Sequence, residues 1–562
     1  MQIKVKIEEW VKKTLGEESF QLVHPKDLKN GDFAFFSHSP KMKNDLVQKL
    51  EANKIPEVEK VEVAGPFVNV YLSKEFFGDS VSKIIEEGEN FGKTDLFEGE
   101  KVFIEHTQQN PFKEFHIGHL MPNTIGDSVA RIIKANGAEM RIASYHGDVG
   151  LHVAKAIWGK MEKPELSWGD AYAHGAEGFE KNKEEIVEIN KKVYNRTDEK
   201  INSLYDQGRK ESLENFEKIY EKLDSHFDFH FFESETGELG KRIVKENIGK
   251  IFEESEGAVV FRGENFEPKT HTRVFLNKED LPTYEAKEIG LAKIKKEKWP
   301  DYTKSITVTA NEQDSFFKVV EVAIGEVFPE LKGKLKHLSH GMLKLPDGKM
   351  SSRTGNIITA ENLIDQVKER VLDKIKDREF SDKEKNQISE IIAIGAIKYS
   401  ILRQAAGGDI VFDFEKSISF EGDSGPYLQY TYVRAKSVLG KAQDLTSFES
   451  ETLRVEDPNS SPRFMRGEKE ERPGDFEIQE VEKMLYRFSE IVKRAGKEYA
   501  PHYLVTYLVE LASGFNSFYA REKIIDEANR EASAYKLALT QAVAQILKNG
   551  LHLLGIKVPE RM

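Results

Sequence analysis

Two short segments of this chain have residue types and spacing suited to chemistry: Phe115-His116-Ile117-Gly118-His119 and Lys349-Met350-Ser351-Ser352-Arg353. An apolar, strand-like run at 102–104 precedes the first. A helical pattern through Ile125, Val129, Ile132 and Ile133 follows it. Strand, turn and helix in that order put His116 and His119 at a helix N-terminus, where backbone N–H groups and the helix dipole favour an anion, usually a phosphate. Gly118 lets a nucleotide approach the backbone closely. The second segment follows a Pro346-Asp347-Gly348 turn, so it is expected on a mobile loop carrying cations, with Gly348 and Gly355 supplying freedom. Two imidazoles and a loop lysine make a clamp for a triphosphate. Taken alone, the two histidines also fit an ordinary first helical turn, because motifs this short match often by chance.

The pair resembles the signature motifs of class I aminoacyl-tRNA synthetases. Further segments are similar to the arginyl family within that class: residues 105–114, Tyr284-Glu285-Ala286-Lys287-Glu288-Ile289-Gly290, Asp423-Ser424-Gly425-Pro426-Tyr427-Leu428-Gln429-Tyr430 and the ending Pro559-Glu560-Arg561-Met562. The resemblance covers nearly the whole chain. It implies ATP-dependent activation of L-arginine to arginyl-adenylate and transfer to the 3′ end of tRNA(Arg), releasing pyrophosphate and AMP. It also implies Mg²⁺ entering with ATP, and a monomer is expected. The lack of cysteine leaves no protein-bound zinc expected, and no apolar run approaches a membrane span and no signal peptide appears, so no membrane and a cytoplasmic location are expected. Other readings stay open: another synthetase with the same motifs, a non-catalytic tRNA-binding paralogue, or a small-molecule nucleotidyltransferase.

The resemblance also implies roles for residues. His116 and His119 would stabilise charge on the phosphoryl oxygens as the arginine carboxylate attacks the α-phosphorus, a task of positioning and preorganised donors. Gly118, Gly341, Met342, Lys349, Met350, Ser351 and Ser352 would line the ATP site, with Lys349 on the β- and γ-phosphates. The second loop cation of the family is absent, and either Arg353 or Lys113 would replace it. Arginine recognition needs carboxylates that meet a planar fork of N–H donors. The resemblance nominates Glu233 and Glu288, with Tyr284 against the guanidinium plane. Glu288 stands where the family usually has Asp. Tyr284 and Glu288, spaced i and i+4, share one helix face. Glu105, Gln108, Asn110 and Gln313 would hold the rest of the amino acid, although Glu105 also reads as a turn cap. For tRNA, Asp423, Tyr427, Arg434, Tyr519 and Met562 are nominated at the anticodon end, and Phe67 and Asn69 at the elbow. Phe515 and Phe518 fit either base stacking or helix packing.

Composition sets outer bounds. The 562 residues allow three or four domains; hydrophobic residues make up 39% and charged residues 32%, ordinary for a globular enzyme. The net charge of −13 argues mildly against nucleic-acid binding, though a local basic surface remains compatible with it. With no cysteine, disulfides, thiolate catalysis and cysteine zinc sites are excluded.

The elements needed to position these residues read as an α/β protein in three parts. Residues 1–95 form a small α/β domain: helix 7–15, strand 33–36, helix 45–53, then strands 61–63 and 67–72 joined at Gly65-Pro66. Residues 96–384 form a Rossmann-type parallel-sheet catalytic domain with ligands at the carboxyl ends of its strands. Its strands are expected at 102–104, 141–145, 257–261, 274–276 and 306–310. Residues 146–148 open a helix, residues 160–255 form a helical insertion, and the loop spans 346–356. Residues 385–562 form an α-helical domain that resembles the family's anticodon-binding domain. Its helices are expected at 388–401, 481–495, 505–518 and 537–554, with a flexible excursion at 447–476.

Overall fold

Alternation along strands shapes the N-terminal part of the computed structural model, which describes residues 3–15, 20–36, 40–344, 358–452 and 476–562. The first elements are α1 (Ile3–Leu15), β1 (Leu22–Val23), β2 (Phe33–Phe36), α2 (Pro40–Ala52), β3 (Val58–Ala64) and β4 (Phe67–Leu72). The four strands form one antiparallel sheet in the order β1-β2-β4-β3. Alternate residues Val68, Val70 and Leu72 turn inward onto Ile7, Trp10, Val11 and Leu50. Gly65, at φ +58°, makes the expected hairpin turn. Helix α3 (Lys74–Glu87) follows; the Ser73 side chain caps it by accepting the Phe76 N–H.

The catalytic sheet begins with β5 (Lys101–Glu105), α4 (Ile117–Ala135) and β6 (Glu139–His146). Val102, Phe103 and Ile104 are buried, as a parallel strand covered on both faces requires. Four helices follow: α5 (Leu151–Glu162), α6 (Trp168–Gly178), α7 (Lys183–Asn195) and α8 (Glu199–Leu223). His146 ends β6 rather than opening a helix, and α5 starts only at Leu151.

The expected strand list needs three corrections, the last being an unlisted strand at 335–340 that forms one edge of the main sheet. A strand inside the 160–255 stretch, β7 (Phe229–Phe232), returns to the main sheet and pairs in parallel with β6. After α9 (Glu233–Glu246), the segments β8 (Glu253–Ser255), β9 (Ala258–Phe261) and β10 (Arg273–Leu276) form a separate antiparallel sheet, so 257–261 and 274–276 are not part of the parallel one. The main sheet is completed after α10 (Tyr284–Lys298) by β11 (Lys304–Ala310), α11 (Asp314–Val327) and β12 (Leu335–His340). All five strands run parallel in the order β12-β11-β5-β6-β7. Strand order reverses between β5 and β11, the place where an open α/β sheet leaves a ligand crevice.

Beyond the sheet, β13 (Leu343–Lys344) precedes α12 (Ala360–Ile375) and α13 (Asp382–Leu402). Then come β14 (Ile410–Val411), which pairs with β13, and α14 (Phe414–Ser417), α15 (Gly425–Thr452), α16 (Glu482–Leu485), α17 (Phe488–Glu498), α18 (His502–Arg521) and α19 (Arg530–Leu553). The expected helix at 481–495 is interrupted at Tyr486-Arg487. Most of the expected excursion, 453–475, lies outside the described residues.

The helical part is locked onto the catalytic part through buried polar contacts. Lys398 Nζ donates to the carbonyls of Leu223 (2.5 Å) and Gly555 (2.8 Å) and lies 3.7 Å from Asp127 Oδ2 on α4. Ser128 of α4 donates to Leu553 O. Gly555, at φ +66°, takes the left-handed position that ends α19. Among the described residues, no helix is long and apolar enough to cross a membrane.

Candidate active site

The five parallel strands deliver most of the nominated small-molecule residues from their carboxyl ends. Glu105 ends β5 and leads to Gln108, Asn110 and Lys113. Glu233 follows β7, Gln313 follows β11, and Gly341 and Met342 follow β12.

At the first turn of α4 the two imidazoles fold onto each other, ring centroids 3.8 Å apart. His116 is the N-cap: its Nδ1 accepts the Gly118 N–H at 3.1 Å, and His119 Nδ1 accepts the His116 N–H at 3.3 Å. An accepting Nδ1 carries no proton, so each neutral ring bears its proton on Nε2, free to donate. Burial, then Lys113, pushes His116 down to about 4. His119 is pushed well below the usual histidine range by burial, then by His116, Lys113 and His146. The pair therefore offers two neutral N–H donors, while the first backbone N–H groups of the helix are already taken: His116 N by His119 Nδ1, Ile117 N by Ile358 O, Gly118 N by His116 Nδ1 and His119 N by His116 O. Lys113 lies 4.9 Å above the Tyr172 ring and is itself pushed down by burial and by Lys155.

The segment before α4 is strained. Thr107, Gln108 and Phe112 all take positive φ (74°, 51° and 70°), unusual for residues with side chains and a feature that clusters at functional sites. Buried contacts hold it: Asn110 Oδ1 accepts the Gly147 N–H at 3.0 Å, His146 Nδ1 bonds Gln109 O at 2.6 Å, and Asn123 donates to Thr107 Oγ1 at 3.1 Å.

Acidic groups collect on the opposite side of the crevice. Glu105 is no turn cap. It is fully buried, meets Lys295 Nζ at 2.7 Å and accepts from Gln108 Nε2 at 2.6 Å. Glu233 is buried and pairs with Lys287 at 2.5 Å; burial raises its pKa against the pull of Lys287. Glu288 has no hydrogen-bond or ion-pair partner among the described residues. Burial and then the neighbouring Glu105 raise it to about 8, Lys295 opposing. Exposed ion pairs contribute about 0–1 kcal/mol each, so the many surface Lys/Glu pairs decide little; these buried ones fix the site's charge. Tyr284 is two-thirds exposed at the start of α10, with Lys287 5.0 Å from its ring. Gln313 is exposed beside α11.

Three residues of this framework were not singled out from sequence. Lys287 and Lys295 neutralise carboxylates far away along the chain. Asp148, fully buried after β6, accepts from Tyr205 OH, from Ser234 N and from Ser234 Oγ, and meets Arg209, so it fixes the start of α9 and hence Glu233. The His146-Gly147-Asp148 run was visible, but its partners lie on α8 and α9.

Lys349, Met350, Ser351, Ser352 and Arg353 lie outside the described residues. Both flanks are described. On the near side Met342 N donates to Asp409 at 2.8 Å. On the far side Ile117 N donates to Ile358 O and Ala360 N to Phe115 O, which stitches the segment that begins at Ile358 onto the histidine turn.

A second concavity lies in the helical part, a cavity of about 410 Å³ lined by Lys374, Arg378, Tyr427, Tyr430, Arg434 and Met562, among others. Arg434 bonds Asn516 and lies 4.8 Å from the Tyr430 ring and 5.3 Å from that of Tyr519, which is exposed. Asp423 is engaged by Tyr399 and Arg403. Phe515 and Phe518 are buried in the helical core, which corrects the base-stacking alternative. On β4, Phe67 is exposed beside Phe36, whereas Asn69, on the same face, is buried.

Comparison with known proteins agrees with this layout. The family described as "tRNA synthetases class I (R), catalytic domain" matches residues 80–414, and "DALR anticodon binding domain" matches residues 428–562. The arginine–tRNA ligase of Borrelia hermsii is 30% identical over 94% of this chain and 91% of its own. That of Clostridium beijerinckii is 28% identical over the full length of both. Among solved structures, the Thermus thermophilus arginyl-tRNA synthetase shares the fold with a TM-score of 0.75 at 22% identity, covering 100% of each chain. The Plasmodium falciparum enzyme gives 0.77 at 20% identity, covering 100% of this chain and 98% of its own. The chain belongs to the arginyl-tRNA synthetase family of class I.

Proposed function

We propose that this protein attaches arginine to tRNA(Arg). The arginine carboxylate attacks the ATP α-phosphorus and the bond to pyrophosphate breaks. A hydroxyl at the tRNA 3′ end then attacks the adenylate carbonyl, and AMP leaves. The observation that carries the reading is the convergence, at the carboxyl ends of one parallel sheet, of two neutral imidazole donors and a facing group of buried carboxylates.

In this reading the Nε2–H groups of His116 and His119 bond the phosphoryl oxygens as they gain charge. Gly118, Gly341 and Met342 border the nucleotide, with Lys349, Met350, Ser351 and Ser352 closing on the phosphates and Lys113 adding a cation. Glu288 and Glu233 face the guanidinium with Tyr284 beside it; Glu105, Gln108, Asn110 and Gln313 hold the amino-acid end. Mg²⁺ arrives with ATP. The 410 Å³ cavity, with Tyr427, Arg434, Tyr519 and Met562, takes the anticodon end of the tRNA, Asp423 orders its rim, and the sheet face bearing Phe67 and Asn69 takes the elbow. The enzyme acts as a cytoplasmic monomer.

The test is ATP–pyrophosphate exchange across the amino acids, with and without tRNA, followed by aminoacylation of tRNA(Arg). Exchange with arginine alone among the amino acids, dependent on cognate tRNA, is expected. Exchange with a different amino acid, or none under any condition, would overturn the reading.

A further inference from the structure

Beneath the proposed arginine site, three carboxylates share two lysines. Glu105 is paired with Lys295 and Glu233 with Lys287. Glu288 has neither a lysine nor a hydrogen-bond donor of its own among the described residues. It borders a cavity of about 30 Å³ lined also by Lys295, Tyr302, Ser305, Thr307 and Glu321, room for about one or two waters. Glu105 faces it from β5, Tyr145 from β6 and Glu233 from α9. Its own helix contributes Lys295 and Glu285, the latter paired with Arg273 of β10, and Glu321 and Lys336 line the cavity from α11 and β12. With all three carboxylates ionised, the group lacks one positive charge.

We infer that Glu288 carries a proton before substrate binds and releases it to solvent as the guanidinium arrives, so that arginine binding and loss of one proton are a single event. The inference rests on the reading of arginine as the substrate. The guanidinium is the missing cation: it stays charged at every accessible pH and replaces the proton's compensation of Glu288. Burial of the neighbouring imidazoles also narrows which group can supply the proton. Burial holds His116 and His152 near 4 and His146 near 3, and keeps His119 low, so none of these imidazoles carries a proton to lose near neutrality. Glu288 sits at about 8, well above them.

The sign follows. Below the free-site pKa the empty enzyme holds the proton and the complex does not, so affinity rises with pH until Glu288 ionises unaided. Between pH 6 and 7.5 the arginine Kd is expected to fall by up to about tenfold per pH unit, and to level off near pH 8–9. Citrulline, the neutral urea analogue, should bind with no proton released and a Kd flat across the same range.

Calorimetric titration of the full-length enzyme with arginine at pH 7, in two buffers of different ionisation enthalpy, counts the protons directly. Close to one proton released per arginine is expected, falling towards zero at pH 9. Glu288→Gln should bind arginine more weakly and release none. Glu297→Gln, at an exposed carboxylate on the far end of the same helix that pairs only with Lys293 among the described residues, should still release one. Arginine binding without proton release in the wild type overturns the inference and leaves the substrate assignment standing; so does release that survives in Glu288→Gln. Failure to bind arginine at all removes the substrate assignment itself. The wild-type count decides the matter even if a variant does not fold.

Discussion

Gly240 and Gly290 meet where α9 crosses α10. A methyl on Gly240 would lie 1.8 Å from Ala286 O, and one on Gly290 would lie 2.1 Å from Thr236 O. The two backbones are in contact, and this is what brings Glu233, at the start of α9, onto Lys287 of α10. Gly290→Ala should therefore push the helices apart. Overpacking of this kind costs about 1–3 kcal/mol, and thermal unfolding should register it. The arginine KM should rise about tenfold with the ATP KM little changed, a difference of roughly 1.4 kcal/mol in binding. Equal changes in both constants would show that the crossing does not act through the carboxylates.

Gly118 has a different constraint. A Cβ there would lie 2.8 Å from the Cε1 and Nδ1 of His116. Gly118→Ala should turn the imidazole out of its cap. A misplacement near 1 Å can cost about 100-fold in rate, and a loss of that size is expected in pyrophosphate exchange with arginine affinity preserved. A wild-type rate would show that the ring's position is unimportant.

His116→Ala or His119→Ala should lower the activation rate by about 100-fold or more while leaving the arginine KM nearly unchanged, because their bonds strengthen only as charge develops. The pH dependence follows from the depressed pKa of His116, about 4. An unfolded histidine protonates near 6.5, so the stability linked to this cap is complete above that value. It is lost as pH falls towards 4. The exchange rate at saturating arginine should show no limb near 6.5. A drop centred at pH 6.5 would show that the imidazoles are ordinary surface groups.

Lys113 and Arg353 are expected to share the load of the second phosphate cation. Each alanine substitution alone should slow activation moderately, and the double variant should lose more than the sum of the two free-energy changes. Strict additivity would separate their tasks.

At the C-terminus, Arg561 pairs with Glu384 and Met562 lines the cavity that also holds Tyr427 and Arg434. Removing 559–562 should raise the tRNA KM several-fold. Arginine activation at saturating tRNA should remain mostly intact, since these residues touch nothing at the sheet's carboxyl edge. A normal tRNA KM in a truncated enzyme of normal thermal stability would refute the assignment.

What the sequence made legible was local. The strand, turn and helix around His116, the hairpin at Gly65 and the helix carrying Tyr284 and Glu288 each follow from patterns within about twenty residues. Phe229–Phe232 was not legible: four residues, three of them phenylalanine, between long polar helices give too short a run for period-2 alternation. Strands β9 and β10 read as buried apolar runs, which look alike in a main sheet or a side sheet. The lysines that define the acidic group were hidden for another reason. Lys287 and Glu233 are 54 residues apart, and no spacing rule links Lys295 to Glu105. Phe515 and Phe518 fitted a core face and a stacking face equally well, and only packing decided between them.

The seam between α4 and the last helix has a consequence for how the protein is made. Ser128 and Asp127 wait for Leu553 and Lys398, and Asn549 reaches back to the carbonyls of Gly88 and Phe91. A chain emerging from the ribosome presents the helix behind the two histidines hundreds of residues before its covering exists. Contacts so distant in sequence close late. The catalytic half is thus born with an open apolar flank, and it can finish folding only as synthesis ends.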